Sequence, residues 1–274
     1  MLKQRVLTAL ILLPLVMAAI FAMPPQWFVI LLAVILLGGS WEYQRLAGFS
    51  GHTGGYSLVL LQAVIFFLLF YYGDHWGSHV LTGMLISCAA WLLMLVRLWL
   101  YQPGTLPDKT YRITSFVTAI VSITTAWFAL SWLRMQPGGS WLILLLLLIV
   151  WAVDTGAYFA GKTFGRVKLA PSIRPGKTLE GFFGGLLAAP LIALVAVGLM
   201  PIESMNTTGL ILISLVTALV SVGGDLLISL HKRISGYKDS SNLLPGHGGI
   251  LDRLDSLLIA APFFALSLLV SELF

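Results

Sequence analysis

Residues 140–160 read SWLILLLLLIVWAVDTGAYFA, a stretch in which Asp154 is the first and only charged residue. As a helix this length rises about 30 Å, the thickness of a bilayer's hydrocarbon core. It is therefore expected to span a membrane and to carry one carboxylate in its last turns. Working outward, similar apolar runs fall near 6–23, 27–44, 56–73, 80–100, 115–133, 180–200, 207–230 and 252–272. The composition agrees: of 274 residues 58% are hydrophobic and 10% charged, with mean hydropathy +0.95. Soluble domains carry about 25% charged residues. An ordinary cytosolic globule, a disordered chain and a nucleic-acid binder working from solution are excluded. The expected fold is all-α, a polytopic integral membrane protein of about nine transmembrane helices.

Charge placement orients the chain. With nine spans and a cytoplasmic N-terminus, one side receives Lys3, Arg5, Arg45, Arg97, Lys109, Arg112, Lys162, Arg166, Lys168, Arg174, Lys177, Lys232, Arg233, Lys238 and Arg253. Only Arg134 falls on the other, and lysine and arginine in short loops set orientation. Trp27, Trp41, Tyr56, Tyr72, Trp76, Trp99, Tyr101, Trp132 and Trp141 lie near run ends, as an interfacial aromatic belt does. The first run exceeds the apolar stretch of a cleaved signal peptide and is expected as a retained anchor. The lone Cys88 is a packing residue. No inverted repeat of the transporter kind is evident. Residues 1–135 are expected as a scaffold and 136–274 as the catalytic region, with cytoplasmic loops at 161–179 and 231–251.

Polar residues concentrate in that second half. The first cluster runs Asp154-Thr-Gly-Ala-Tyr158, Gly161-Lys-Thr-Phe-Gly165, Lys168-Leu-Ala-Pro171 and Pro175-Gly-Lys-Thr178. Five basic residues in the sixteen positions from Lys162 to Lys177 attract anions, or simply orient a solvated loop. Gly176-Lys177-Thr178 is not a P-loop, because Pro171 stands where that motif needs its first glycine. Lys177 on a Pro-Gly turn can still act as a point charge on phosphate.

The second cluster holds Gly224-Asp225, Ser229, Lys232-Arg233, Lys238-Asp239, Pro245-Gly-His-Gly-Gly249 and Asp252-Arg-Leu-Asp255. Helical spacing puts Asp225, Ser229 and Lys232 on one face, and Asp252, Asp255 and Ser256 on one face of the last span. Such carboxylates need partners. They either pair with Arg253, Lys232 or Lys238, or hold a divalent metal together with phosphates. Mg²⁺ takes one or two carboxylates and completes its shell with phosphate oxygens and water. Gly246, Gly248 and Gly249 allow backbone N–H groups to approach an anion. His247 fits equally a ligand, a phosphate donor or a loop histidine. A zinc site lacks a second His or Cys at ligand spacing.

The 27-residue stretch Ser229-x-x-Lys232-Arg233-x4-Lys238-Asp239-x-Ser241-x2-Leu244-Pro245-x-His247-Gly-Gly-Ile-x-Asp252-Arg253-Leu254-Asp255 resembles the signature of bacterial phosphatidate cytidylyltransferases, the CDP-diacylglycerol synthases. The Asp154 and Pro175-Gly-Lys-Thr segments are similar to that family too. The resemblance implies transfer of the cytidylyl group of CTP to phosphatidate, with release of pyrophosphate, at the cytoplasmic side of a bacterial inner membrane. It implies Mg²⁺, as one ion or two, and is compatible with a monovalent cation and a homodimer. By analogy Asp225 and Asp252 are metal ligands with Asp255 close behind. Lys177, Lys232, Arg233, Lys238 and Arg253 serve the phosphates, and the His247 loop with Gly246, Gly248 and Gly249 closes on the nucleotide.

Four positions depart from the family pattern. Ile228 stands where a glutamate is usual, His231 where an apolar residue is, Arg174 for a common serine and Leu179 for a common tryptophan. Ile228 marks either a dispensable outer carboxylate or a low-activity paralogue. A CDP-alcohol phosphotransferase is excluded by the absence of its Asp-Gly-x2-Ala-Arg string. An ion-coupled transporter is the alternative class, though it suits the terminal clustering of the acids less well.

Overall fold

The computed structural model describes residues 2–49, 52–73, 77, 79–201 and 206–272. Trp76 and the side chains of Lys3 and Arg5 lie outside the described residues. Nine helices are present among the described residues: α1 (Leu2–Ala22), α2 (Pro25–Leu46), α3 (His52–Tyr71), α4 (Val80–Leu100), α5 (Lys109–Met135), α6 (Gly139–Phe164), α7 (Leu179–Leu199), α8 (Thr207–Ile234) and α9 (Leu251–Glu272). Seven are long and apolar enough to cross a bilayer. In the other two the apolar portions are shorter, Leu7–Ala22 and Tyr56–Tyr71. The protein is an all-α polytopic membrane protein.

Most helix ends fall within a few residues of the apolar runs. The larger differences are polar extensions. α5 begins at Lys109 because the Asp108 carboxylate caps it, accepting from the Tyr111 N–H at 2.6 Å. α8 continues to Ile234, so Lys232 and Arg233 lie in its last turn, where cations suit the carbonyl end of the helix. The loop expected from 231 thus starts after the helix. Between α6 and α7, where the sequence carries no strand pattern, β1 (Lys168–Ala170) and β2 (Arg174–Thr178) form a small antiparallel hairpin.

Without a hydrophobic drive between helices in lipid, close packing depends on small residues. α6 and α7 meet most extensively. A Cβ at Gly184 would lie 2.3 Å from the Ala160 Cβ, and one at Gly156 would lie 2.6 Å from the Ala188 Cβ. α8 and α9 meet at Gly224, where a Cβ would lie 2.8 Å from the Asp255 carbonyl oxygen. That contact brings the Asp225 level of α8 against the acidic first turns of α9. Outward-facing Leu7, Leu60, Phe67, Leu93, Leu187 and Leu191 are exposed, as lipid-facing positions are.

The charged ends gather on one side of the bundle. The C-terminal ends of α2, α4, α6 and α8 and the N-terminal ends of α5, α7 and α9 carry the basic residues and the acidic clusters. Arg134 stands alone at the opposite end of α5, its Nη2 donating to the Met23 carbonyl at 2.7 Å.

Candidate active site

The hairpin lies across the mouth of α6, α7, α8 and α9. Thr178 ends it and caps α7, its Oγ1 accepting from the Gly181 N–H at 3.1 Å. At the hairpin turn, the Ile173 carbonyl accepts from Arg233 Nε at 2.9 Å, which ties the turn to the last turn of α8. A cavity of about 430 Å³ results, lined by Asp154 and Tyr158 of α6, Arg174 and Lys177 of β2, Asp225 of α8, and Asp252, Arg253 and Asp255 of α9.

Two of its four carboxylates, Asp225 and Asp252, are paired with cations. Arg174 and Lys177 both bridge to Asp225, whose side chain is buried. Lys232 Nζ donates to Asp252 Oδ1 at 2.7 Å. The pairing expected with Lys232 therefore occurs at Asp252, whereas Asp225 finds its cations on the hairpin. Burial and the neighbouring Arg174 cation push the Lys177 ammonium down to about 8, against the opposing pull of Asp154 and Asp255.

The segment before α9 is built around Asp252. Its Oδ2 accepts from the Ser240 N–H at 2.8 Å and the Gly249 N–H at 2.9 Å. Of the three glycines expected to offer N–H groups to an anion, Gly249 donates its own to a carboxylate of the protein itself. Gly248 has φ +81°, and a Cβ there would lie 2.7 Å from Asp252 Oδ2. Arg253 Nε donates to the His247 carbonyl at 2.9 Å. The His247 N–H donates to the Leu244 carbonyl at 2.8 Å, and its buried Nδ1 has no hydrogen-bond partner among the described residues.

Of the residues singled out from the sequence, the cavity brings together Lys177, Asp225, Asp252, Arg253 and Asp255, with Lys232 held behind Asp252. Arg233, Lys238, His247, Gly246, Gly248 and Gly249 lie outside its lining. Three participants were not among them. Asp154 was visible as the charge ending its apolar run. Arg174 appeared only as a departure from the family pattern. Glu42 carried no signal, being a single acid at the end of α2; it is fully buried and accepts four hydrogen bonds from Ser240, Ser241, Ile250 and Leu251.

Two of the other departures have packing accounts. Ile228 is fully buried in an apolar cluster, so no polar hole marks the missing glutamate. His231 is also fully buried; its Nδ1 lies 2.8 Å from the Leu227 carbonyl and its Nε2 lies 3.1 Å from Arg97 Nη1. Since Arg97 can only donate, Nε2 is the acceptor and Nδ1 carries the proton.

Among the described residues no three His, Cys, Asp or Glu side chains form a ready-made metal cage. The cavity carboxylates are all-oxygen donors, and those of Asp225 and Asp252 have protein cations as counter-ions. That set does not suit zinc, but it does suit a hard ion such as Mg²⁺ that completes its shell with substrate phosphates.

A cavity lined by carboxylates and cations at one end of a bundle of long apolar helices defines a class: helical membrane proteins with a charged site at the helix ends. The comparisons with known proteins narrow this. The Cytidylyltransferase family profile matches residues 3–271, and the chain belongs to that family. A phosphatidate cytidylyltransferase of Pseudomonas aeruginosa is 39% identical over 265 residues, covering 97% of this chain and 96% of the relative. One of Haemophilus influenzae is 35% identical over 286 residues, covering 97% and 98%. One of Rickettsia bellii is 38% identical over 195 residues, covering 67% and 84%.

Proposed function

We propose that this chain transfers the cytidylyl group of CTP to phosphatidate, giving CDP-diacylglycerol and pyrophosphate. The observation that carries the proposal is the convergence of Asp225, Asp252 and Asp255 with Arg174, Lys177 and Arg253 around one cavity at the ends of membrane helices. Near-full-length relatives named for this activity support it.

The chemistry follows from the charges. An oxygen of the phosphatidate phosphate attacks the α-phosphorus of CTP. A new P–O bond forms as the bond to the β-phosphate oxygen breaks, and pyrophosphate leaves with the electron pair. Phosphatidate supplies an ionised nucleophile, so the enzyme needs no general base, only charge neutralisation and alignment. Lys177, Arg174 and Arg253 are placed to hold phosphate oxygens. Lys232 keeps Asp252 oriented from behind, and Arg233 keeps the hairpin over the cavity. Lys238 and the His247 segment would enclose the nucleotide, the latter tied to the cavity by the bond from Arg253 Nε to the His247 carbonyl. Asp225, Asp252 and Asp255 would hold a Mg²⁺ ion together with the triphosphate, and it would supply additional charge neutralisation.

The basic ends of the helices support a cytoplasmic reading of this face under the positive-inside rule, and an inner membrane with the site open to soluble CTP fits that reading. Residues 136–274 then form the catalytic region. Detergent-purified protein given labelled CTP, Mg²⁺ and phosphatidate should form CDP-diacylglycerol. Absence of product across several divalent metals and pH values would overturn the proposal.

A further inference from the structure

A buried carboxylate persists in an apolar surrounding only when its oxygens are fully satisfied. Glu42, at the end of α2, is 0% exposed and has no ion-pair partner among the described residues. Hydrogen bonds replace the cation. Oε2 accepts from Ser240 Oγ at 2.7 Å and the Leu251 N–H at 2.8 Å. Oε1 accepts from Ser241 Oγ at 2.5 Å and the Ile250 N–H at 2.8 Å. One side chain of the N-terminal half thus grips both ends of the 240–251 segment, including the first N–H groups of α9.

The same two ends supply the backbone donors to Asp252. Ser240 N and Gly249 N both converge on its Oδ2. Ser240 Oγ also lies 3.1 Å from that oxygen, but its single proton goes to the nearer Glu42 oxygen at 2.7 Å. With Oδ2 anchored by two N–H groups, Oδ1 is left facing Lys232 and the cavity. The space around the clamp is filled: a Cβ at Gly249 would lie 2.5 Å from the Glu42 carboxylate.

We infer that Glu42 is a positioning residue for the reaction: by closing the 240–251 segment onto itself, it sets the orientation in which Asp252 meets a divalent cation. This deepens the proposed function and rests on Asp252 being a metal ligand. Because Glu42 acts through Asp252, it should govern metal affinity and leave the cationic phosphate contacts of the hairpin untouched.

The test uses the full chain in detergent, with Mn²⁺ alone titrated by electron paramagnetic resonance and pyrophosphate binding measured separately in EDTA. Glu42→Gln should weaken Mn²⁺ binding about 10-fold to 100-fold, the range for loss of an outer-shell partner. Its metal-free pyrophosphate affinity should stay within about twofold of wild type. Equal losses in both measurements, or Mn²⁺ affinity equal to wild type, would overturn the inference. If Glu42→Gln does not fold, Ser241→Ala decides, since it removes one clamp bond and touches neither Asp252 nor the cavity. Weaker Mn²⁺ binding with unchanged pyrophosphate binding supports the clamp, and unchanged Mn²⁺ binding overturns it. Asp252→Asn separates the two claims: wild-type Mn²⁺ affinity in that variant would overturn the metal-ligand assignment itself.

Discussion

Lys232 and Asp252 join the end of one membrane helix to the start of the next, with Nζ 2.7 Å from Oδ1. Each sits where the helix macrodipole favours its charge, the cation in the last turn of α8 and the anion in the first turn of α9. The pair is mostly buried, with side chains 11% and 6% exposed. Removing either partner leaves an uncompensated charge, which is more damaging than the net worth of the pair.

Asp252→Asn keeps the shape of the side chain and removes its charge. Turnover of CTP and phosphatidate should fall by at least about 10² in kcat/KM, comparable to losing a preorganised electrostatic contact. Lys109→Ala, on the exposed start of α5, should leave it unchanged. Arg134→Ala is a poorer control, because Arg134 is 9% exposed and bonds across to Met23, so its loss should lower thermal stability.

Arg174 neutralises Asp225 from the hairpin. Under the proposed function its guanidinium competes with the metal for that carboxylate. Arg174→Ser should lower the half-saturating Mg²⁺ concentration by about threefold to tenfold, the scale of a partly exposed ion pair near 1 kcal/mol. An unchanged Mg²⁺ dependence in steady-state assays would show that Arg174 and the metal do not share Asp225.

Lys177 must be protonated to hold a phosphate, and its ammonium is pushed down to about 8. As pH rises through that value the cation is lost, so kcat/KM should fall on the alkaline side with an inflection near 8. Bound phosphate stabilises the cation, so the corresponding limb in kcat should lie at higher pH. Lys177→Arg should remove the inflection, because a guanidinium stays charged throughout the range.

Gly184 packs so closely on α6 that a Cβ would lie 2.3 Å from the Ala160 Cβ. Gly184→Val should cost about 1–3 kcal/mol through overpacking and lower the melting temperature measured in detergent. Gly198→Ala, with nothing within 4 Å of the added Cβ, should be neutral or slightly stabilising.

Much of this protein can be read along the chain. The apolar runs locate the helices because a span must satisfy its backbone internally over about 20 residues, a purely local requirement. Asp225 and Asp252 stand out because a carboxylate beside an apolar run is costly wherever the chain goes. The hairpin at 168–178 was not legible: its strands are three and five residues long, too short for alternation to register.

Partnership was harder to read. That Lys232 neutralises an acid could be expected from charge alone, but the choice of Asp252 depends on how α8 and α9 meet at Gly224. Arg174 and Lys177 reach Asp225 only because the hairpin folds over the bundle.

The sequence by itself determined the membrane class, the helices, the family and the acids and bases available for catalysis. The tertiary structure decided which cation neutralises which carboxylate. It also decided that Glu42, roughly two hundred residues away along the chain, clamps the segment that orients Asp252. Local hydropathy acts through neighbours in sequence, whereas ion pairs and hydrogen bonds act over a few ångströms in space. Only the packing of α2 against the α8–α9 pair puts those atoms within reach.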